Sequence, residues 1–308
     1  MDVVIVGSFM TDLMSYCTDF PEPGETVHGH KFKKSFGGKG ANQCIMAQRL
    51  GGKTAMIGRV GDDGYGIEHL EHFKKHSVNV DHIYKTEKEQ TGVANIIVND
   101  KGQNCIVIVS AANLKLNEND LKAAEVVIKS AKVLVTQMEI LPTTALAALK
   151  IAKKHGVKTI LNVAPVPKAL PDEIYKLVDY FCVNELEAAS LWGNPVNSIE
   201  DANKSAKEFI HRGCSNVILT LGKMGSVFVT EAGINPIHIP AQEVKAVDST
   251  GAGDAFVGSL AFYLATRPDL PVQEIIRRSN DIATASVLKP GTQDSYPYKK
   301  DLSHELFA

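Results

Sequence analysis

The sequence predicts an α/β protein with a central, mostly parallel β-sheet flanked by helices and a small antiparallel β-sheet attached to it. Short apolar runs that suit buried parallel strands alternate with segments of helix length along most of the 308 residues. Two strand-rich segments without helices interrupt this alternation. We therefore predict a single α/β domain over residues 1–308, with a lid formed by roughly residues 9–36 and 92–111.

The elements of the large sheet follow in chain order from these patterns. The first strand is predicted at Val3–Val6, because this wholly apolar run ends in Gly7, as expected of a buried parallel strand. Further strands are predicted at residues 55–60, 132–136, 158–163, 180–183 and 216–220. Helices are predicted between them, at residues 40–50, 66–76, 143–155, 185–191 and 200–212.

The two interruptions have the composition of strands and turns. Residues 8–36 contain strand-like pieces around the turn at 21–24, and residues 93–109 have the pattern of a hairpin that turns at 99–102. The simplest arrangement is one small sheet that combines the strands of both segments. Because open strand edges are usually covered, this lid also predicts a homodimer.

Composition and charge exclude several classes of protein. The chain is 44% hydrophobic and 22% charged, with a formal net charge of −2, which gives no support for a nucleic-acid or membrane partner. Five cysteines without a CxxC pair argue against a zinc knuckle and a disulfide framework. The first apolar run is too short for a signal peptide, and no stretch suits a membrane span. We expect the protein in the cytoplasm, with the nucleus left open.

The segment 248–256 carries the strongest functional signal. It opens a long apolar helix, and Gly251 and Gly253 leave backbone amides uncovered at the helix start, where the dipole favours an anion. A carboxylate at this place, Asp254, suits the removal of a proton from an attacking hydroxyl, while the amides of residues 252–254 stabilise a phosphoryl group. The alternative is a tight turn followed by an ordinary acid in the first helical turn.

A second glycine-rich segment, residues 36–42, also precedes a helix. It is not a Walker A loop, since Lys39 is followed by Gly40 rather than Ser or Thr. The chain has no GxGxxG fingerprint either, which disfavours a dinucleotide-dependent oxidoreductase. Taken alone, the segment could equally be a glycine-rich turn with a solvated lysine.

Together, the two segments resemble the N-terminal and C-terminal signatures of the ribokinase family of carbohydrate kinases, and the resemblance extends from Val3 to Tyr298. Ser249 replaces the threonine of the C-terminal signature. The resemblance implies that Asp254 is the catalytic base. It also implies that the sugar is held by the GGKGAN segment, which comprises Gly38, Lys39, Gly40, Ala41 and Asn42.

Two further acids fit the sugar site of that family. Asp12 follows the first strand in the sequence Met10-Thr11-Asp12, and a carboxylate there can accept hydrogen bonds from two sugar hydroxyls. Met10 departs from the asparagine of many bacterial members, and the Met-Thr-Asp form is similar to animal members. Glu139 follows the strand at 132–136. Without the resemblance, either acid could be an ordinary loop or strand-end residue.

The resemblance also implies a site for Mg·ATP. Asn184 and Glu187 match an N-x-x-E motif that organises Mg²⁺ and phosphates largely through water, although Asn184 could serve as a helix cap. Asn280 matches an asparagine near the adenine. The nucleotide loop is implied at Thr220, Leu221, Gly222, Lys223, Met224 and Gly225.

A site for K⁺ is implied near the helix that carries Asp254. Potassium is held by oxygen atoms, mostly carbonyls, so side-chain identity is a weak indication. The positions that match the family's cation loop are Asp248, Thr250, Ser286, Lys289, Gly291 and Ser295.

The reaction implied is ATP-dependent phosphorylation of D-ribose at O5, giving D-ribose 5-phosphate and ADP. One alternative is another sugar or nucleoside kinase of the same family. A catalytically silent sugar sensor on the same fold is a further alternative, which Asp254 and its flanking glycines disfavour.

Overall fold

The computed structural model describes the backbone of all 308 residues and every side chain except that of Ile234. Thirteen strands form two sheets. The strands of the large sheet are β1 (Val3–Val6), β4 (Thr54–Gly61), β5 (Asn79–Thr86), β8 (Val133–Gln137), β9 (Lys158–Asn162), β10 (Tyr180–Asn184), β11 (Asn216–Thr220), β12 (Ser226–Thr230) and β13 (Gly233–Ile239).

The order across this nine-stranded sheet is β13-β12-β11-β10-β9-β8-β1-β4-β5. The seven strands from β5 to β11 pair in parallel, whereas β12 and β13 extend the sheet antiparallel. The predicted α/β class is therefore confirmed. The helices are α1 (Lys39–Arg49), α2 (Gly64–Lys75), α3 (Glu118–Ala123), α4 (Glu125–Lys129), α5 (Pro142–Lys154), α6 (Glu173–Leu177), α7 (Glu185–Trp192), α8 (Ile199–His211), α9 (Ala252–Thr266) and α10 (Val272–Ser286).

The large sheet is buried on both faces, because its strands are apolar at successive positions. Val3 and Ile5 of β1 pack into the core beneath α1, α2, α9 and α10. Val4 and Val6, which point the other way, pack into a second core beneath α5 and α8. No helix among the described residues is long and apolar enough to cross a membrane.

The small sheet contains β2 (Met10–Cys17), β3 (Lys31–Gly37), β6 (Gly92–Asn99) and β7 (Asn104–Val109), in the order β3-β2-β6-β7. Its two outer pairs are antiparallel as predicted, whereas the central pair β2 and β6 is parallel, so the small sheet is mixed and the prediction of an antiparallel sheet is corrected at that pair. The parallel direction of β2 and β6 follows from the strands of the large sheet that precede them. β2 follows β1, and β6 follows β5; these two strands run the same way, so both excursions leave from the same edge.

Candidate active site

The residues predicted to bind ligands gather at the carboxyl edge of the large sheet, where an α/β fold places its ligands. Strands β8, β9, β10 and β11 end there, opposite the first turns of α1 and α9. A cavity of about 170 Å³ lies between them. Its lining includes Lys39, Asn162, Asn184, Glu187, Thr220, Gly251, Gly253 and Asp254.

The start of α9 forms one wall of this cavity. Gly251 has φ +79°, a conformation that favours glycine, and its carbonyl oxygen accepts a hydrogen bond of 2.9 Å from the Tyr296 hydroxyl. The Ala252 amide donates to the Ser249 carbonyl oxygen at 3.2 Å, so this expected anion donor is already engaged. The amides of Gly253 and Asp254 make no such bond among the described residues. These two amides are therefore the ones available to an anion in the cavity.

The Asp254 carboxylate is buried at the bottom of that wall and is 6% exposed. Asn42 Nδ2 donates to Asp254 Oδ2, and Gln43 Nε2 donates to Asp254 Oδ1, both at 2.9 Å. The Asn42 side chain thus faces the carboxylate, and its predicted contact with a sugar stays a prediction. Because the Gly253 position is open to solvent, a ligand can approach the carboxylate from the cavity.

Two more carboxylates lie on the predicted sugar side. Burial, together with the charges of Glu139 and Asp254, raises the pKa of Asp12 to about 7. Glu139 Oε2 accepts hydrogen bonds from Ser8 Oγ at 2.5 Å and from the Lys39 amide at 2.8 Å. Burial nevertheless raises the pKa of Glu139, although the charge of Lys39 opposes the shift. The predicted residues Asp12, Glu139 and Asp254 are thus brought close enough for their charges to interact.

The alternative of a solvated lysine in the GGKGAN segment does not hold, because the Lys39 side chain is partly buried and lines the cavity. Burial disfavours its charged form, but the carboxylates of Asp254, Glu139 and Glu187 outweigh this effect and raise the pKa of Lys39. A charged ammonium in the same cavity as the free amides of Gly253 and Asp254 makes this cavity suitable for phosphate.

The predicted magnesium motif has a double function in the local structure. Asn184 Oδ1 accepts a bond of 2.8 Å from the Glu187 amide, and Glu187 Oε2 accepts one of 2.9 Å from the Asn184 amide, so the pair forms a capping box at α7. Both residues also line the cavity. Burial raises the pKa of Glu187.

The residues predicted to bind the nucleotide near its adenine are only partly gathered around the cavity. Thr220 lines the cavity, whereas residues 222–224 are exposed beyond it. Asn280 Nδ2 donates to Ser226 Oγ at 3.1 Å and to the Ile239 carbonyl oxygen at 3.2 Å. The Asn280 amide thus joins α10 to the large sheet, and it does not line the cavity.

Residues of the predicted cation loop are partly brought together. Asp248 Oδ1 accepts a bond of 2.9 Å from the Thr250 amide, and Asp248 Oδ2 accepts one of 2.8 Å from the Gly291 amide. The hydroxyls of Ser286 and Ser295 donate to carbonyl oxygens within their own turns. The side chain of Lys289 is exposed and its ammonium offers no oxygen, so only the Lys289 carbonyl is suited to a cation.

Sequence reasoning missed a set of buried polar residues around Asp254. A sequence signal existed for four of them. Gln43 directly follows the GGKGAN segment, while Gln137 and Asn162 end β8 and β9 at the ligand edge. Ser8 follows β1 in the same way. Gln293 had no such signal, because it lies in an irregular segment far along the chain.

Comparison with known proteins agrees with this geometry. The model of the pfkB family of carbohydrate kinases matches residues 1–299. A ribokinase from Mus musculus is 51% identical over 305 residues, which cover 99% of this chain and 94% of the mouse protein. A deoxyribokinase from Salmonella typhi is 35% identical over 297 residues, covering 96% of each chain.

Two solved structures share the whole architecture. Ribokinase from Arabidopsis thaliana complexed with ribose and ATP superposes with a TM-score of 0.89 at 28% identity, covering 97% of this chain and 96% of that chain. Ribokinase from Giardia lamblia gives a TM-score of 0.89 at 28% identity, covering 97% of this chain and 98% of that chain.

Proposed function

The chain belongs to the pfkB family of carbohydrate kinases, and we propose that it transfers the γ-phosphoryl group of ATP to O5 of D-ribose. The similarity to the mouse ribokinase, which extends over 99% of the chain, supports ribose as the acceptor. The observation that carries the chemistry is the buried Asp254 carboxylate, which shares one cavity with free helix amides and the partly buried Lys39 side chain.

The proposed step needs few groups. Asp254 accepts the proton of the O5 hydroxyl while O5 forms a bond to the γ-phosphorus. The bond from that phosphorus to the oxygen bridging to the β-phosphate breaks, and ADP leaves with the bonding electron pair. The amides of Gly253 and Asp254 and the Lys39 ammonium offset the charge on the transferring group, so catalysis rests on positioning and electrostatics.

Asp12 and Glu139 are the residues that we propose to hold the sugar. An ionised carboxylate accepts hydrogen bonds at both oxygens, so Asp12 can receive two hydroxyl hydrogens. One oxygen of Glu139 is already occupied by Ser8 and the Lys39 amide, which leaves the other for ribose. Two fixed carboxylates would orient O5 toward Asp254.

The residues present suit a magnesium ion that arrives with ATP. Mg²⁺ retains several waters and needs only one or two carboxylates besides phosphate oxygens. No cluster of three or more His, Cys, Asp or Glu suited to a metal occurs among the described residues, which agrees with such a sparse site. Glu187 would hold the ion, since one of its oxygens caps α7 and the other is available. When bound, the ion neutralises phosphate charge.

We propose that a potassium ion binds to the segment around Asp248. The Asp248 carboxylate ties the loop before α9 to Gly291. Backbone carbonyls of the same segments would supply the neutral oxygens that K⁺ prefers. A bound cation would fix the shape of the loop that presents the α9 amides.

Deoxyribose is the second candidate acceptor, because the deoxyribokinase from Salmonella typhi is also similar over 96% of the chain. The test is a coupled ADP-release assay with Mg·ATP and K⁺ over ribose, deoxyribose, fructose, glucose and adenosine. We expect the highest kcat/KM with ribose. Preference for another acceptor would contradict ribose while retaining the kinase chemistry. Absence of turnover with every acceptor, in a folded sample that binds ribose, would indicate a silent sensor.

A further inference from the structure

Two buried chains of side-chain amides end on the two oxygens of Asp254. Gln43 reaches Oδ1 and Asn42 reaches Oδ2, as described above, and each of these amides is oriented by another glutamine. The four amide residues are between 0% and 5% exposed; they are Asn42, Gln43, Gln137 and Gln293. Water therefore has little access to replace a hydrogen bond that is lost here.

The first chain passes through Gln43. Gln137 Nε2 donates to Gln43 Oε1 at 2.6 Å, and Gln43 Nε2 uses its two hydrogens for Asp254 Oδ1 and, at 3.1 Å, for Asn162 Oδ1. An ionised carboxylate can only accept, so the Gln43 amide must present its nitrogen to Asp254. The donor from Gln137 then holds the Gln43 amide in that orientation.

The second chain passes through Gln293. Gln293 Nε2 donates to Asn42 Oδ1 at 2.9 Å, which forces the Asn42 nitrogen toward Asp254 Oδ2. Gln293 Oε1 in turn lies 2.9 Å from His72 Nε2. Since the Gln293 nitrogen is directed at Asn42, the imidazole is the donor in this contact. All hydrogen bonds of the second chain therefore point toward the carboxylate, as do the bonds from Gln137 to Gln43 and from Gln43 to Asp254 in the first.

We propose that Gln43 and Gln293 are positioning residues for the catalytic base. Gln43 is 0% exposed and Gln293 is 3% exposed, and both the oxygen and the nitrogen of each side-chain amide are engaged by protein groups, so neither is placed to touch ribose or ATP. Gln43 acts on the base directly, and Gln293 acts through Asn42. Together they fix the plane of the Asp254 carboxylate, because each of its two oxygens accepts a hydrogen bond from an oriented amide. The inference rests on the proposed role of Asp254.

A purely structural role is the competing explanation, since buried amides also tie helices together. The two roles predict different changes in stability and in catalytic constants when the residue is substituted. Loss of packing or of an interhelical bond lowers the free energy of unfolding. Loss of a donor to the base also lowers kcat while the KM values for ribose and ATP change little, since a carboxylate that is held less firmly is less often placed to accept the proton.

The test compares Gln43→Met with Gln48→Met, which removes a partly buried amide from the same helix. Gln48 Oε1 accepts hydrogen bonds from the amide and hydroxyl of Thr54 and has no link to Asp254. For Gln43→Met we expect kcat to fall about ten- to hundredfold, with the KM values for ribose and ATP within about threefold of wild type. Gln48→Met should keep the wild-type kcat.

A folded Gln43→Met variant with a kcat within about twofold of wild type would overturn the inference. Should Gln43→Met fail to fold, Gln293→Met carries the test by the same criteria, because its link to Asp254 runs through the other oxygen. Wild-type protein that turns over no acceptor would instead refute the proposed function, and with it the role assigned to Asp254.

Discussion

At the scale of single residues, the site brings the carboxylates of Asp12, Glu139 and Asp254 close enough to repel one another. Burial and the charges of neighbouring carboxylates raise the pKa values of Asp12 and Glu139, although the Lys39 charge and hydrogen bonds from Ser8 and the Lys39 amide oppose the shift of Glu139. Charges held in this way weaken the folded state, which is a common feature of sites prepared for a ligand. Sugar hydroxyls that donate to these acids would relieve the repulsion.

Ribose binding should depend on pH through Asp12. Its pKa is raised to about 7, so the carboxyl is protonated at lower pH and loses acceptor capacity. We expect the Kd for ribose, measured by calorimetry, to be about tenfold weaker at pH 6 than at pH 8. Asp12→Asn should weaken binding and remove most of this dependence. An unchanged dependence in Asp12→Asn would contradict the assignment.

The raised pKa of Asp12 makes the stability of the fold change with pH in the opposite direction to ribose binding. A carboxyl whose pKa is higher in the folded than in the unfolded state stabilises the fold at low pH, and this contribution is lost as pH rises through about 7. Asp12→Asn should therefore raise the thermal midpoint at pH 8 more than at pH 5.

Residues adjacent to a recognisable motif could be predicted from the sequence, and their distant partners could not. Asp254, Asp12 and Glu139 follow strands or open a helix, where a fold of this class presents its chemistry. Gln293 reaches Asn42 across 251 positions of sequence, and only tertiary packing brings the two together. Asn280 was predicted from a motif to lie near the adenine, but its amide joins α10 to the sheet and does not line the cavity.

At the scale of elements, glycine determines how α9 begins. Gly251 has φ +79°, and a Cβ there would overlap Thr292 Cγ2 and lie 2.8 Å from the Tyr296 hydroxyl. Gly251→Ala should lower the free energy of unfolding by about 2 kcal/mol or more. The matched control is Gly253→Ala, whose added Cβ meets nothing within 4 Å, so its thermal midpoint should stay near wild type. Equal midpoints for the two variants would contradict this account.

The loop before α9 should make activity respond to K⁺. Asp248 joins that loop to Gly291, and a cation held there would support the amides that face the phosphate. We expect kcat in Tris buffer to rise on addition of KCl, and the rise to be lost in Asp248→Ala. Asp294→Ala removes a nearby acid that pairs with Lys33 instead, and it should keep the response. A wild-type rate that is indifferent to K⁺ would refute the cation site.

Elements with a strong pattern were predicted closely, and those without one were missed. The strands Val3–Val6 and Asn216–Thr220 agree with their predicted bounds, because each contains a continuous run of buried apolar residues. β5 was not predicted, since it is an edge strand with polar residues at several positions. The parallel pairing of β2 with β6 depends on where two excursions leave the large sheet, and no local pattern encodes that.

At the scale of the whole molecule, the small sheet ends in an apolar edge. All four residues Ile106–Val109 of β7 are 49% to 63% exposed, and Phe32 on the opposite edge strand is 64% exposed. Apolar strands at an edge usually need a cover. A second copy of this chain is the cover that we propose.

Dimer formation can be tested with one charge on that edge. Wild-type protein should sediment at twice the chain mass, and Val107→Asp should shift it toward the monomer, because the charge would be buried in the interface. Val126→Asp is the control, since Val126 on α4 is 82% exposed and lies outside the small sheet. A monomeric wild type, or equal behaviour of the two variants, would contradict the proposed interface.

The central claim is that Asp254 removes the proton from the attacking ribose hydroxyl, and Asp254→Asn tests it most directly. The amide keeps the shape of the side chain but cannot accept the proton. We predict that the variant folds, binds ribose and ATP with nearly wild-type affinity by calorimetry, and loses turnover by about two orders of magnitude or more. A folded Asp254→Asn variant with a kcat close to that of wild type would contradict the account.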